Sequence, residues 1–342
     1  MVINPSNAVI SKARAKYGKR LTEKDYTAML RCGSVTEVVH YLRSYTCYQQ
    51  YLSRIIGADI HRGFVEHILR EELFNNFLSL CRYNANHSPV TGFILRQTEI
   101  DQLMKYLTLL SIGKPEEYIF SLPLYFDEHT ELDLQVLSGC RSYSAFLDTI
   151  KYSKYKEILS QYKPSNGKLR LSEIENALDR FSFVELYKDI GKVKNKQSRK
   201  ELTELFDSFA DYNNYSRILR LKKYYDTDNE TIKEYLMPFG NLKGNKADEI
   251  LCEGGYEEVS RALTQTRLGK RLQKKQIGVS NRVGSRSRFE LCRHNLYFSQ
   301  NPEVVLLSYY ILSDTELNNV ITIIEGVRYG LSPKEIKDLI II

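Results

Sequence analysis

The 342-residue sequence carries 49 Lys and Arg against 42 Asp and Glu, a formal net charge of +7, and 42% hydrophobic residues. This balance is typical of a folded globular protein with room for two or three domains. Six scattered cysteines without a CxxC pair argue against a disulfide framework and favour reduced thiols. We expect no signal peptide, and apolar runs such as Val304–Leu312 are too short to cross a bilayer.

Helical periodicity predominates from one end of the chain to the other. Apolar residues recur at the three- and four-residue spacing that marks one face of an α-helix. These stripes are formed by Val9, Ala13 and Tyr17, by Ile100, Leu103, Met104 and Leu107, and by Leu317, Val320, Ile321 and Ile324. Sustained alternation with the period of a β-strand is hard to find. The sequence therefore predicts an all-α fold.

The stretches 7–26 and 316–340 share one pattern, in which a helix ends and a new helix begins after a tight joint. Near the C-terminus, Gly330 suits a helix end because glycine readily takes a positive φ, and Ser332 and Glu335 form a capping box. Thr22 and Asp25 offer the same box near the N-terminus. Both joints are therefore predicted to be helix, turn and capped helix.

Two further copies of this pattern begin at Glu99 and Asp211, and the last begins at Glu316. Each acid is followed three residues later by an amide, and we expect the acids at helix N-termini, where the helix dipole favours negative charge. The recurrence predicts three similar helical lobes, residues 1–112, 113–225 and 226–342. Their joints lie near Gly18, Gly113, Tyr225 and Gly330, and Tyr225 departs from the pattern by replacing glycine.

No catalytic pattern stands out. The sequence contains no HExxH, GxSxG or GxGxxG, and no Gly-Lys pair is followed by the Ser or Thr of a phosphate-binding loop. Cys292 and His294 are close, but a zinc site needs about four ligands. The recurring acids Glu66, Glu175 and Glu290 are best explained by helix capping or by pairing with a neighbouring Arg. We predict no catalytic residue, cofactor or metal.

One basic run is a candidate binding surface. It comprises Arg267, Lys270, Arg271, Lys274, Lys275, Arg282 and Arg286. It is either a solvated helix face or a docking surface for an acidic protein or for phospholipid headgroups. Aromatic residues that would stack on bases do not interrupt it, which disfavours nucleic acid. Reversing Lys270, Arg271, Lys274 and Lys275 to Glu would test whether the run holds the protein at a membrane.

The terminal stretches and the recurring joints resemble those of the C subunit of the prokaryotic A/V-type ATPases, which is called the d subunit in eukaryotic V-type enzymes. The resemblance covers essentially the whole chain and is strongest over 316–340. It implies a funnel-like protein with three lobes around a pseudo-threefold axis and without a catalytic site or cofactor. It further implies a rotor part on the cytoplasmic face, between the central stalk and the membrane ring that carries H⁺ or Na⁺.

Without the resemblance, the residues themselves predict only a three-lobed helical interaction protein. A helical adaptor that binds an acidic partner or nucleic acid through its basic face is the alternative. Steep loss of binding with added salt would be expected if that partner were nucleic acid.

Overall fold

The computed structural model describes residues 5–53, 55, 61–84, 88–164, 168–225, 227–252, 254–274 and 283–342. Within them every regular element is a helix and none is a β-strand, which confirms the all-α prediction. The predicted stripes are buried, as shown by Val9, Leu103 and Ile324. Across these same ranges, no helix combines the length and the apolar character needed to span a membrane.

The α-helices are α1 (Pro5–Tyr17), α2 (Glu23–Met29), α3 (Val35–Tyr45), α4 (Gln49–Leu52), α5 (Arg62–Cys81), α6 (Pro89–Ser111), α7 (Leu134–Gly139), α8 (Tyr143–Thr149), α9 (Lys156–Leu159), α10 (Leu171–Gly191), α11 (Lys196–Tyr225), α12 (Asn229–Tyr235), α13 (Asn245–Leu251), α14 (Tyr256–Gln265), α15 (Arg267–Lys274), α16 (Val283–Phe298), α17 (Pro302–Arg328) and α18 (Pro333–Leu339). Two 3₁₀ segments, Pro115–Ser121 and Leu124–His129, follow α6.

The contacts between residues divide the chain into two compact units. The first unit comprises residues 15–189 and 313–340, and the second comprises residues 1–14 and 190–312. The core of the first unit is rich in aromatic side chains, and the rings of Tyr106 and Phe146 stack with their centroids 5.3 Å apart. The division into three lobes, with boundaries at residues 112 and 225, stays a prediction.

The joints after α6 and α17 end their helices in the same way. Gly113 and Gly330 have φ values of 76° and 70°. The next amide donates to a carbonyl five residues back, Lys114 to Leu109 and Leu331 to Gly326, each at 2.9 Å. This is the Schellman arrangement, which gives partners to carbonyls at the helix end. The positive φ predicted for Gly330 is confirmed.

The predicted capping boxes are also confirmed. The Ser332 hydroxyl accepts from the amide of Glu335, whose carboxylate accepts from the Ser332 amide at 2.8 Å. Thr22 and Asp25 repeat this exchange at the start of α2. Each box gives partners to amides that the first helical turn leaves free. The four residues therefore set where α18 and α2 begin.

The expected position of the recurring acids is wrong. Glu99, Asp211 and Glu316 lie in the middle of α6, α11 and α17, far from the helix N-termini. A mid-helix carboxylate gains nothing from the unpaired amides of a helix start, because the surrounding amides already bond within the helix. These acids instead accept hydrogen bonds from a segment distant in sequence. We call the three residues the carboxylate anchors.

In the first unit, Glu316 accepts from the Leu21 amide at 2.9 Å and from the Tyr48 hydroxyl at 2.7 Å. The end of the chain thereby holds the segment that contains the first joint. The amide three residues after the acid continues this contact, because the Asn319 Nδ2 donates to the Tyr26 hydroxyl at 3.3 Å. A carboxylate that accepts a backbone amide fixes the position of the loop that donates it.

Glu99 makes the corresponding contacts within the same unit. Its carboxylate accepts from the Glu131 amide at 3.3 Å, the Thr130 hydroxyl at 3.0 Å and the Tyr155 hydroxyl at 2.6 Å. Lys154 Nζ lies 2.7 Å from the same group. Glu99 is buried, so these four donors replace the water that a carboxylate would otherwise bind.

Asp211 is the anchor of the second unit. Its carboxylate accepts from the amides of Asn241 and Leu242 at 2.6 and 2.7 Å. Three residues along α11, Asn214 accepts from the Met237 amide at 2.8 Å and donates to the Leu242 carbonyl at 2.9 Å. The acid and the following amide thus hold the loop before α13. The same two positions make contacts with a distant segment in all three sequence copies.

The stability of the first unit is expected to carry a pH dependence from Glu316. Burial raises the pKa of Glu316, although the hydrogen bonds from Tyr48 and the Leu21 amide oppose that shift. A carboxyl group with a folded-state pKa above its unfolded value binds its proton more tightly when folded. Its contribution to stability is therefore greatest below the unfolded pKa and declines as the pH rises through the folded pKa.

We compare the free energies of unfolding of the wild type and Glu316→Gln, measured in urea at a series of pH values. The difference, wild type minus variant, should fall as the pH rises from below the ordinary pKa of a glutamate carboxyl, about 4.3. A difference that is constant or rises over this range would contradict the assignment.

Candidate interaction surface

Four residues of the predicted basic run lie on one short helix. Arg267, Lys270, Arg271 and Lys274 belong to α15 and are exposed, and Arg286 is exposed on α16. Lys275 and Arg282 fall outside the described residues. The buried residues of α15 are Gly269 and Leu272, and its four cations lie on the exposed part of the helix. We call the four α15 cations the basic surface.

A glycine holds α15 close to α14. A Cβ atom added to Gly269 would lie 2.2 Å from the Leu263 carbonyl oxygen and 2.6 Å from the Thr264 Cα. The Thr266 hydroxyl accepts from the Gly269 amide at 3.0 Å and so caps the first turn of α15. The backbones of the two helices therefore meet directly, which fixes the direction in which the basic surface points.

A groove of about 980 Å³ runs beside α15 within the second unit. Glu201 and Glu204 of α11 line it together with Arg267 and Arg271 of α15. Its apolar lining residues are Leu205, Leu242, Leu268, Leu291, Phe298 and Val304. The groove therefore offers carboxylates, guanidinium groups and an apolar lining together. This combination suits a protein segment of mixed charge better than a polyanion.

The cations of the basic surface are not equally available. Burial raises the pKa of Tyr212, and the opposing influence is Arg271, which hydrogen-bonds the Tyr212 hydroxyl. Over the described parts of the chain, no carboxylate forms an ion pair with Arg267, Lys270 or Lys274. These three side chains can therefore bind an acidic partner without first breaking such a pair.

The carboxylates of the groove were not foreseen from the sequence. Glu201, Glu204, Ser208 and Asp211 follow one another at three- and four-residue spacing along α11, so a polar stripe was visible. That the stripe lines the same groove as α15 was not visible, because the two helices are separated by some sixty residues. The sequence therefore showed a purely cationic run, whereas in the fold the carboxylates of Glu201 and Glu204 lie beside it.

Two of the other recurring acids, Glu66 and Glu290, form ion pairs with neighbouring arginines. Glu66 pairs with Arg62 at 3.0 Å and with Arg70 at 2.9 Å, and Glu290 pairs with Arg293 at 2.9 Å. Pairing with a neighbouring Arg is thereby confirmed for both. Cys292 is buried while its neighbour His294 is exposed. In the described portion of the chain, no group of His, Cys, Asp and Glu is arranged to hold a metal ion.

Comparison with known proteins defines the class to which this architecture belongs. The family model described as ATP synthase (C/AC39) subunit matches residues 9–339, and the chain belongs to this family. It is accordingly a non-catalytic component of a rotary ATPase, with partners inside that complex.

Relatives named as the C subunit of A-type ATP synthase match along nearly the whole chain. Those of Methanosarcina mazei and Methanosarcina barkeri are 22% and 23% identical, covering 97% of this chain and 92% of each relative. The relative of the same name from Methanosphaera stadtmanae is 25% identical over 70% of this chain and 60% of its own length. The resemblance noted in the sequence is confirmed.

Proposed function

We propose that the chain is the central-rotor spacer of an A/V-type ATPase, which connects the central stalk to the membrane rotor ring and transmits torque between them. The observation that carries this proposal is family membership over residues 9–339. We place the protein on the cytoplasmic face of the membrane, where nucleotide is hydrolysed or formed by other subunits. The ion carried by the ring is H⁺ or Na⁺.

The carboxylate anchors support a mechanical role. A spacer that transmits torque must resist deformation at its joints, and each anchor ties a long helix to a segment distant in sequence. Hydrogen bonds to a buried carboxylate are stronger than those between neutral groups and restrict the loops that donate them. We propose that the three copies of this contact correspond to three lobes, residues 1–112, 113–225 and 226–342.

The basic surface is proposed to bind an acidic loop of a neighbouring subunit. Exposed cations beside an apolar groove fit such a partner, and the carboxylates of Glu201 and Glu204 disfavour nucleic acid and anionic lipid at this position. Lipid headgroups are the competing partner for this surface. The helical adaptor that binds nucleic acid is not supported by a specific observation.

The double variant Lys270→Glu/Lys274→Glu is expected to weaken retention of the protein on native membranes about ten-fold or more, since like charges across an interface repel. Retention is measured by sedimentation of washed membranes at rising salt. The matched control is Lys194→Glu/Lys196→Glu, which makes the same charge change at exposed residues of the second unit. Equal retention of both variants would exclude the basic surface as a contact.

The proposed function itself is tested by a mild-detergent pull-down of the tagged protein from native membranes, with mass spectrometry of its companions. Recovery of ring, stalk and nucleotide-binding subunits together is expected. Recovery of nucleotide-binding subunits without the ring would overturn the position between stalk and ring.

A further inference from the structure

The joint after α6 carries large apolar side chains that lie outside the hydrophobic core and are exposed at the surface. Ile112 directly follows α6, and Ile119 and Phe120 belong to the 3₁₀ segment that comes next. All three are exposed, and Phe120 exposes 88% of its surface. Large apolar side chains grouped on a surface mark a contact with another molecule. Single exposed apolar residues are common, but three within nine residues form a group.

The joint after α17 repeats this feature. Tyr329 exposes 71% of its surface, and Leu331 is also exposed. Both flank Gly330, which occupies the same position as Gly113 in the other joint. The two joints end their helices with the same backbone geometry, and each places an exposed apolar side chain, Ile112 or Tyr329, directly before the glycine. Ile119, Phe120 and Leu331 add exposed apolar surface next to one joint or the other. We call Ile112, Ile119, Phe120, Tyr329 and Leu331 the joint surface.

Helix α17 runs antiparallel to α5 in the first unit. Arg62, at the start of α5, lies 2.5 Å from Glu325 near the end of α17. Further along α5, Arg70 lies 3.8 Å from Asp314, near the middle of α17. The end of α17 is therefore beside the beginning of α5.

Helix α6 also runs antiparallel to α5. Cys81 at the end of α5 contacts Thr91 at the start of α6, with Sγ and Oγ1 3.3 Å apart. Further along α6, Lys105 lies within electrostatic reach of Glu66 and Arg62. The last turn of α6 therefore returns towards the beginning of α5, where α17 also ends. Both halves of the joint surface thus lie at the same end of the first unit.

The charges around the joint surface point to a protein rather than to a bilayer. Residues 111–120 and 328–339 contain four cations, Lys114, Arg328, Lys334 and Lys337, and four anions, Glu116, Glu117, Glu335 and Asp338. An anionic membrane attracts an excess of Lys and Arg, which is missing here. An apolar centre with exposed aromatic residues and a rim of mixed charge is the usual composition of a protein interface.

We propose that the joint surface binds the membrane rotor ring, through the loops that the identical ring subunits present to the rotor. The unit carries two copies of one joint at the same end. Such a repeated surface fits a ring of identical subunits, because each subunit presents the same loop. A stalk that enters as a single element offers no such repetition. This inference rests on the proposed function and deepens it by naming the contact residues.

The test uses the full-length tagged protein, with Ile119→Ser/Phe120→Ser in one variant and Tyr329→Ser in another. Tyr45→Ser and Tyr152→Ser are the controls, because both tyrosines are exposed in the first unit outside these two joints. Binding is measured to the rotor ring purified in detergent and, separately, to the purified stalk subunits. Thermal unfolding followed by circular dichroism identifies any variant that fails to fold.

We expect each joint variant to bind the ring about ten- to a hundred-fold more weakly, which is the usual effect of removing a central aromatic or apolar contact. Stalk binding and the melting temperature should match the wild type, and both controls should bind the ring normally. Ring binding unchanged in both joint variants would overturn the proposal. Weaker stalk binding with normal ring binding would assign the surface to the stalk and overturn it as well.

Two further results separate this inference from the proposed function. If the wild type bound neither ring nor stalk, the proposed function would fail first. Vesicles containing phosphatidylglycerol are the probe for lipid. If the wild type bound these vesicles, and the joint variants lost that binding while keeping the ring, the joint surface would be a lipid contact and the ring proposal would be wrong.

Discussion

Replacing Glu99 with alanine is expected to lower the free energy of unfolding of the first unit by about 3–5 kcal/mol. The substitution removes the acceptor for the Tyr155 hydroxyl and the Glu131 amide, and it leaves Lys154 without its carboxylate. Tyr155 is fully buried, and burial, followed by the Glu99 carboxylate, raises the pKa of Tyr155. The Tyr155 hydroxyl therefore stays protonated and remains a hydrogen-bond donor. In the variant this buried donor has no carboxylate acceptor.

Urea unfolding followed by far-ultraviolet circular dichroism measures this loss, since the chain has no tryptophan to report on it. Glu99→Gln should give a smaller loss, because an amide oxygen still accepts while the charge opposite Lys154 is gone. Glu128→Ala, at an exposed position of the same unit, should change stability by no more than about 0.5 kcal/mol. Equal effects at residues 99 and 128 would show that the anchor does not hold its loop.

Replacing Gly240 with alanine is expected to destabilise the second unit by about 3–5 kcal/mol, through strain rather than through a lost contact. Gly240 has a φ of 80°, and an added Cβ would lie 2.4 Å from Asp211 Oδ1 and 2.8 Å from the Asp207 carbonyl oxygen. The backbone oxygen cannot rotate away, and moving Asp211 weakens its hydrogen bonds to Asn241 and Leu242.

Gly244 provides a matched control in the same loop. Its φ is 50°, but an added Cβ would meet no atom within 4 Å. Gly244→Ala should therefore cost only the conformational penalty of its backbone, which has φ 50° and ψ −138°, about 1–3 kcal/mol. The two variants are compared by urea unfolding. If both cost the same, close packing against Asp211 makes no contribution and the positive φ alone explains the requirement for glycine.

Local features of the fold were predictable because neighbouring residues determine them. The capping boxes at Thr22 and Ser332 and the helix end at Gly330 depend on side chains within a few positions of one another. Helical periodicity likewise requires only one turn of sequence at a time. These features were confirmed in detail, and with them the all-α class.

The role of the carboxylate anchors could not be derived in the same way. The repeat showed that Glu99 and Glu316 occupy equivalent positions, yet the helix boundaries were misplaced, and the acids were assigned to helix N-termini. Their true partners, Tyr155 and Tyr48, lie 56 and 268 residues away. A single sequence contains no signal for contacts at such separations. The sequence does show that an acid recurs at the equivalent position of each copy of the pattern.

The candidate surfaces show a similar limit. The sequence located the cations of α15, but Glu201 and Glu204 beside them became apparent only from the folded chain. Tyrosine is abundant, and composition does not distinguish Tyr106, which is buried, from Tyr329, which is exposed. Exposure depends on the packing of distant helices. The joint surface was therefore invisible to periodicity, although the residues that form it stand within the motifs that were recognised.

The hydrogen bond from the Leu21 amide to Glu316 has a consequence for folding during translation. The two residues are 295 positions apart, and at the usual 5–20 residues per second the donor waits roughly 15–60 s for its acceptor. The Leu21 amide and the Tyr48 hydroxyl lack this acceptor during that interval. The earliest segment translated is thus among the last to be secured, and a nascent chain stalled before residue 316 leaves it open to chaperones and proteases.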